Sequence, residues 1–153
     1  MAAMARKTRR GRRAEAGTAA IEFGLSVPLL LLLLMGAVEF GFYIYEGMQV
    51  YNSVEAGMVE AAKNGFSDAR ISAAVVNATD TKGITATPAP AEFCGCPNAT
   101  GIVSAACDAT CSDGTKPGQY VRISASLSHQ TILPYPGLSL QTPLTAHTVL
   151  RLN

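Results

Sequence analysis

At 153 residues the chain has room for one small domain and at most one membrane segment. Its formal charge of +1 conceals an asymmetry, because Arg6, Lys7, Arg9, Arg10, Arg12 and Arg13 are opposed only by Glu15 within residues 1–17. No aromatic side chain interleaves with these cations and an apolar run follows them directly. That puts a leader, residues 1–17, held in the cytoplasm, ahead of a nucleic-acid-binding arm.

From Phe23 to Ile44 the only ionisable residue is Glu39, so a helix here would run ~33 Å, long enough to cross a bilayer. A transmembrane helix is expected over residues 18–45. The run is longer than the core of a secretory signal, and no small-x-small cleavage site follows it. Tyr43 and Tyr45 suit an interfacial aromatic belt. The unbroken leucines from Leu29 to Leu34 are more than the short downstream chain could cover as the core helix of a soluble protein.

The helical pattern continues past the membrane-length run through residues 46–65. Phe40, Ile44, Met48, Tyr51, Val54, Met58 and Ala62 recur at three- and four-residue spacing, with Glu46, Gln49, Asn52, Glu55, Glu60 and Lys63 between them. Residues 18–65 therefore read as one helix of ~72 Å. Pro28 predicts a kink or local loosening, and Asn64-Gly65 a stop. Ser67-Asp68 opens a shorter helix to about Asn77, with Ile71, Ala74, Val75 and Ala78 on one side.

After that the period changes. Gly83 to Phe93 holds Pro88 and Pro90 and is an edge strand at best. Residues 94–118 read as a polar loop. YVRISASLSH (120–129) and LTAHTVLRL (144–152) alternate as strands, with Val121, Ile123, Ala125 and Leu127 on one face of the first, and Leu144, Ala146, Thr148, Leu150 and Leu152 on one face of the second. Leu133 to Gly137 is a turn or crossing loop. The expected fold is α+β: a long N-terminal transmembrane helix continuing into a small extracytoplasmic head, residues 66–153, with an antiparallel sheet laid on the outer half of the helix.

Cys94, Cys96, Cys107 and Cys111 fall within a Cys-rich loop, 94–111. Four close cysteines can bind zinc in a reducing compartment, but outside the membrane they favour two disulfides. The C-x-C spacing is too tight to pair within itself. Each of Cys94 and Cys96 is expected to pair with Cys107 or Cys111, with both connectivities open. His129 and His147 read as exposed strand histidines. Asn77-Ala-Thr79 and Asn98-Ala-Thr100 match a glycosylation acceptor by chance, and Asp108 with Asp113 falls short of a calcium site. No phosphate-binding glycine loop, histidine cluster or nucleophile triad is present, so no enzymatic activity, cofactor, metal or small-molecule substrate is expected. A membrane-tethered hydrolase would require unsuspected geometry among His129, His147 and Asp113.

Gly17-Thr-Ala-Ala-Ile-Glu22-Phe23 resembles the type IV prepilin signal. The resemblance implies a processing site between Gly17 and Thr18, after which Glu22 is the fifth residue and Phe23 the hydrophobic residue that follows. Cleavage would leave an α-amino group on Thr18, with which Glu22 of a neighbouring subunit could pair. In lipid, a carboxylate near a helix N-terminus is partly stabilised by the helix dipole. The longer stretch RRGRRAEAGTAAIEFGLSVPLLLLLLMGAVEFGFYIY is similar to the N-terminal segment of the TadE-like family of the tight-adherence (Flp, type IVb) pilus system, through Gly17 to Ala20, Glu22-Phe23, Pro28, the leucine run and Glu39-Phe40-Gly41. The resemblance implies a minor pilin or pseudopilin that assists pilus assembly. It would sit once across the bacterial inner membrane, with the N-terminus cytoplasmic and the C-terminal domain periplasmic, or enter an extracellular pilus. Its partners would be the prepilin peptidase and other pilins or pilus-assembly proteins reached through the helix. The chain is much larger than the family's major pilins, which argues against the main shaft subunit. Glu39, the membrane-end carboxylate, reads equally as a water-facing group or as part of a helix–helix contact. The alternative is an uncleaved single-pass anchor whose head binds pilus-machinery or surface partners.

Overall fold

A computed structural model describes the backbone of residues 4–131 and 143–152, with side chains from Thr18 onward. The turn expected at Leu133 to Gly137 and the side chains of the basic leader lie outside the described residues. The chain divides into two compact units, one ending at Gly41 and the other beginning at Phe42.

Helix α1 spans Met4–Asn64 and contributes to both units. It begins at Met4 rather than at Thr18, because the alanines, arginines and lysine of the leader are good helix formers and outweigh Gly11 and Gly17, with no proline among them. The helix assignment continues through Pro28 without interruption. It ends where expected: Gly65 adopts φ 72°, the left-handed conformation glycine reaches at no steric cost, and its N–H donates to the Ala61 carbonyl at 3.0 Å.

In the second unit, helix α2 spans Asp68–Val76, preceded by Ser67 in extended conformation and buried through Ile71 and Val75. Four strands follow: β1 (Ala91–Asn98), β2 (Gly101–Ser104), β3 (Gly118–Leu127) and β4 (Leu144–Arg151). They form one antiparallel sheet in the order β2-β1-β3-β4. The two alternating segments behave as expected. Val121, Ile123, Ala125 and Leu127 are buried, and Ala146 is buried between the partly buried Leu144, Thr148 and Leu150.

Two expectations are corrected. Residues 83–90 form no strand; their one backbone pairing with the sheet among the described residues is an isolated bridge between Thr85 and Ser126. The region expected to be loop from residue 94 instead completes β1 and contains β2. β1 pairs with β3 through Ala91 to Gly95 and with β2 through Gly95 to Asn98. Pro97 is tolerated because main-chain polar groups alternate sides along a strand. The Cys94 carbonyl accepts from Ala105 N–H on the β2 side, so the missing donor of Pro97 falls on the opposite side, past the last pair with β3. The turn after β1 is tied by Asn98, whose Oδ1 accepts from Thr100 N–H at 2.9 Å and from its hydroxyl at 3.0 Å.

The core joins Val50, Val54 and Ala61 of α1, Ile71 and Val75 of α2, Ile84, and the inner face of β3 and β4. The helix face that does this is not the stripe of largest side chains. Val50, Ser53, Val54, Gly57 and Ala61 are buried, whereas Ile44, Met48 and Tyr51 are exposed. Close approach selects small residues: a Cβ at Gly57 would lie 2.6 Å from Val75 Cγ2 and 3.0 Å from Ile123 Cγ2.

Candidate functional site

Three features could carry function: the apolar half of α1, a second stripe on its later half, and the cysteine-stapled hairpin.

In the first unit the apolar side chains face outward. Leu29 to Leu34 are between 53% and 64% exposed, and none of the most apolar window of the helix is buried. This is the reverse of a soluble core helix, and the helix is long and apolar enough to cross a membrane. Gly17 and Thr18 both lie within the helix. Glu22 and Phe23 are exposed, and the Glu22 main-chain carbonyl accepts from the Ser26 hydroxyl at 2.8 Å. The Glu22 carboxylate makes no hydrogen bond or ion pair among the described residues. Glu39 is buried.

In the second unit Ile44, Met48, Tyr51 and Val59 follow one another at helical spacing and remain exposed beside the buried stripe. This stripe is interrupted by Glu55, also exposed.

The cysteines pair as Cys94–Cys107 and Cys96–Cys111, with Cα separations of 5.2 and 5.6 Å. Each residue of the C-x-C therefore takes a partner from the later pair. Adjacent same-strand positions two apart project to one face, so the two bridges lie side by side and hold the 107–111 segment against β1. No group of histidines, cysteines and carboxylates able to hold a metal ion occurs among the described residues. Asp113 instead serves a turn: its carboxylate accepts from Thr115 N–H at 3.0 Å and Thr115 Oγ1 at 2.7 Å. These bonds, the hydroxyl first, hold its carboxyl below the usual carboxylate range.

The two histidines part company. His147 is exposed as expected, but His129 is buried, with Nδ1 2.7 Å from Glu46 Oε2 and its ring edge-on to Tyr43 at 5.3 Å. Residue 129 shares the parity of Val121, Ile123, Ala125 and Leu127, so their alternation carried two residues on places it on the apolar face, not the exposed one. Glu46 on the helix was the available signal, a carboxylate placed among otherwise apolar neighbours at 44, 45 and 48.

Residues 17–63 match the family described as TadE-like protein. This segment is TadE-like. The TadE-like segment runs from the Gly17-Thr18 pair to Lys63, one residue before the helix ends, and so takes in both the apolar half and the exposed stripe. It associates the chain with the tight-adherence pilus system and with attachment to a membrane through a single helix. No curated protein and no solved structure matches the chain.

Proposed function

We propose that the chain is a minor pilin or pseudopilin-like structural protein that takes part in assembling a tight-adherence type IVb pilus. The observation that carries this reading is the TadE-like segment beginning at Gly17, coincident with a helix whose most apolar stretch is wholly unburied. In this reading the helix anchors the chain in the bacterial inner membrane, with the leader cytoplasmic and the head periplasmic, as the six leader cations favour. The prepilin peptidase cuts between Gly17 and Thr18, and the unpaired Glu22 carboxylate receives the new amine of a neighbouring subunit. The protein has no catalytic activity of its own; the helix supplies subunit contacts and the disulfide-stapled head a recognition surface.

A second reading is favoured by one feature. Proteolysis requires an extended or locally opened chain, yet the Gly17–Thr18 bond lies inside α1. An uncleaved anchor, with its head engaging pilus-machinery or surface partners, would leave that helix whole. Intact mass of the protein from membranes of cells with and without the peptidase separates the two. A chain starting at Thr18 only in the presence of the peptidase supports the pilin reading. Retention of Arg6 to Arg13 in both strains overturns it in favour of the anchor.

A further inference from the structure

We propose that the outer face of the sheet carries a binding site for a small carboxylate ligand with a neighbouring hydroxyl, the chemistry of a sugar acid. The site arises from a break in strand pairing. Ser126 and Thr85 exchange two main-chain hydrogen bonds, each 2.9 Å, and pairing with the preceding chain resumes only at Arg122 opposite Ala91. Main-chain groups two residues apart on a strand point to the same side, so the N–H and C=O of Ser124 point at segment 86–90. That segment does not answer them. Pro88 and Pro90 have no N–H, and the N–H of Thr87 turns back to the Thr85 carbonyl at 3.0 Å.

Ser124 is only 6% exposed, yet among the described residues its N–H, its C=O on this side and its hydroxyl make no hydrogen bond. Buried polar groups are nearly always paired, so three unpaired ones at a single residue mark a place for an external partner. Ser124 lines a cavity of about 450 Å³ together with Thr87, Pro88, Arg122, Thr145 and His147, among others. This volume lies in the range of small-ligand pockets, ~300–1,000 Å³.

The lining selects the ligand. Arg122 is the cation, with its guanidinium carbon 5.2 Å from the centroid of the Phe93 ring, and among the described residues no carboxylate side chain lines the cavity. The Ser124 N–H and hydroxyl together with Arg122 suit a carboxylate. The Ser124 carbonyl requires a donor, which a hydroxyl beside that carboxylate supplies and a bare oxyanion does not. An amine would meet the charge of Arg122.

The test is an amide-resolved NMR titration of the full chain in detergent micelles, with glucuronate, glucose and sulfate as probes. Glucuronate is expected to give a saturable shift of the Ser124 amide, with glucose and sulfate binding at least about tenfold more weakly, the loss of one charge-assisted or one neutral contact set. R122Q and H147Q replace exposed side chains, so the rest of each spectrum should be unchanged, and R122Q should weaken glucuronate about tenfold. No saturable shift, equal binding of sulfate, or full affinity in R122Q would each overturn the proposal. None of these outcomes bears on leader cleavage, so this site and the pilus reading fail separately.

Discussion

His129 Nδ1 lies 2.7 Å from Glu46 Oε2, joining the chain just past β3 to α1. The imidazole side chain is almost wholly buried and the carboxylate only partly so, at 2% and 28% exposure. Since an ionised carboxylate only accepts, the ring N–H donates. Removing either partner takes this bond from the other. H129A and E46A should each destabilise the head by ~1–3 kcal/mol, and the double variant by less than their sum. Denaturant unfolding of the full chain in detergent measures this; additive losses would mean that the two side chains act independently.

Gly57 is where the helix admits the sheet and α2. G57A should destabilise by ~1–3 kcal/mol, because the methyl would press on Val75 and Ile123 within the packed core. Gly47 provides the control on the same helix, with nothing within 4 Å of an added Cβ. G47A should be neutral or stabilising by up to ~1 kcal/mol through helix propensity alone. A G57A protein that melts no lower than G47A would refute this packing.

The two bridges close short loops, with sequence separations of 13 and 15 residues. Loop-closure entropy then gives each ~3 kcal/mol, so C94A/C107A and C96A/C111A should each lose about that much. Peptide mapping under non-reducing conditions should return Cys94 with Cys107 and Cys96 with Cys111; the crossed pairing would contradict this connectivity.

Asp113 is fully exposed, and its two bonds from Thr115 lower its pKa. A group with a depressed folded-state pKa stabilises above its unfolded value and loses that contribution as pH falls through the folded value. The turn should therefore hold at neutral pH and loosen only on the acid side of 3.8. NMR titration of the Thr115 amide should show a midpoint below that value in the wild type, and D113A should show none.

Much of this architecture was legible in the residues. The apolar run, Gly65, Ser67-Asp68 and the alternation of β3 and β4 each carry a local signal strong enough to survive packing. The cysteine partners were narrowed correctly because C-x-C cannot close on itself. What local pattern did not carry was non-local. β1 and β2 hide in a stretch of Cys, Gly, Pro and Asn whose strand conformation is imposed by pairing to β3 and by the two bridges. The buried face of α1 was misjudged because size, rather than apolarity, decided which side chains meet the sheet. At Ser53, Gly57 and Ala61 the small residues win. His129 falls in step with the buried face of β3, but its polar partner Glu46 lies on a helix 83 residues earlier, which no local pattern announces.

The later half of α1 bears two longitudinal stripes with different obligations. One, through Val50, Val54, Gly57 and Ala61, is committed to the head; the other, through Ile44, Met48, Tyr51 and Val59, is left over once the head has folded. A genetic screen can therefore read the helix one side at a time. Lesions on the first stripe should deplete the protein from the cell, whereas lesions on the second should leave its abundance intact and be noticed only through whatever the protein joins.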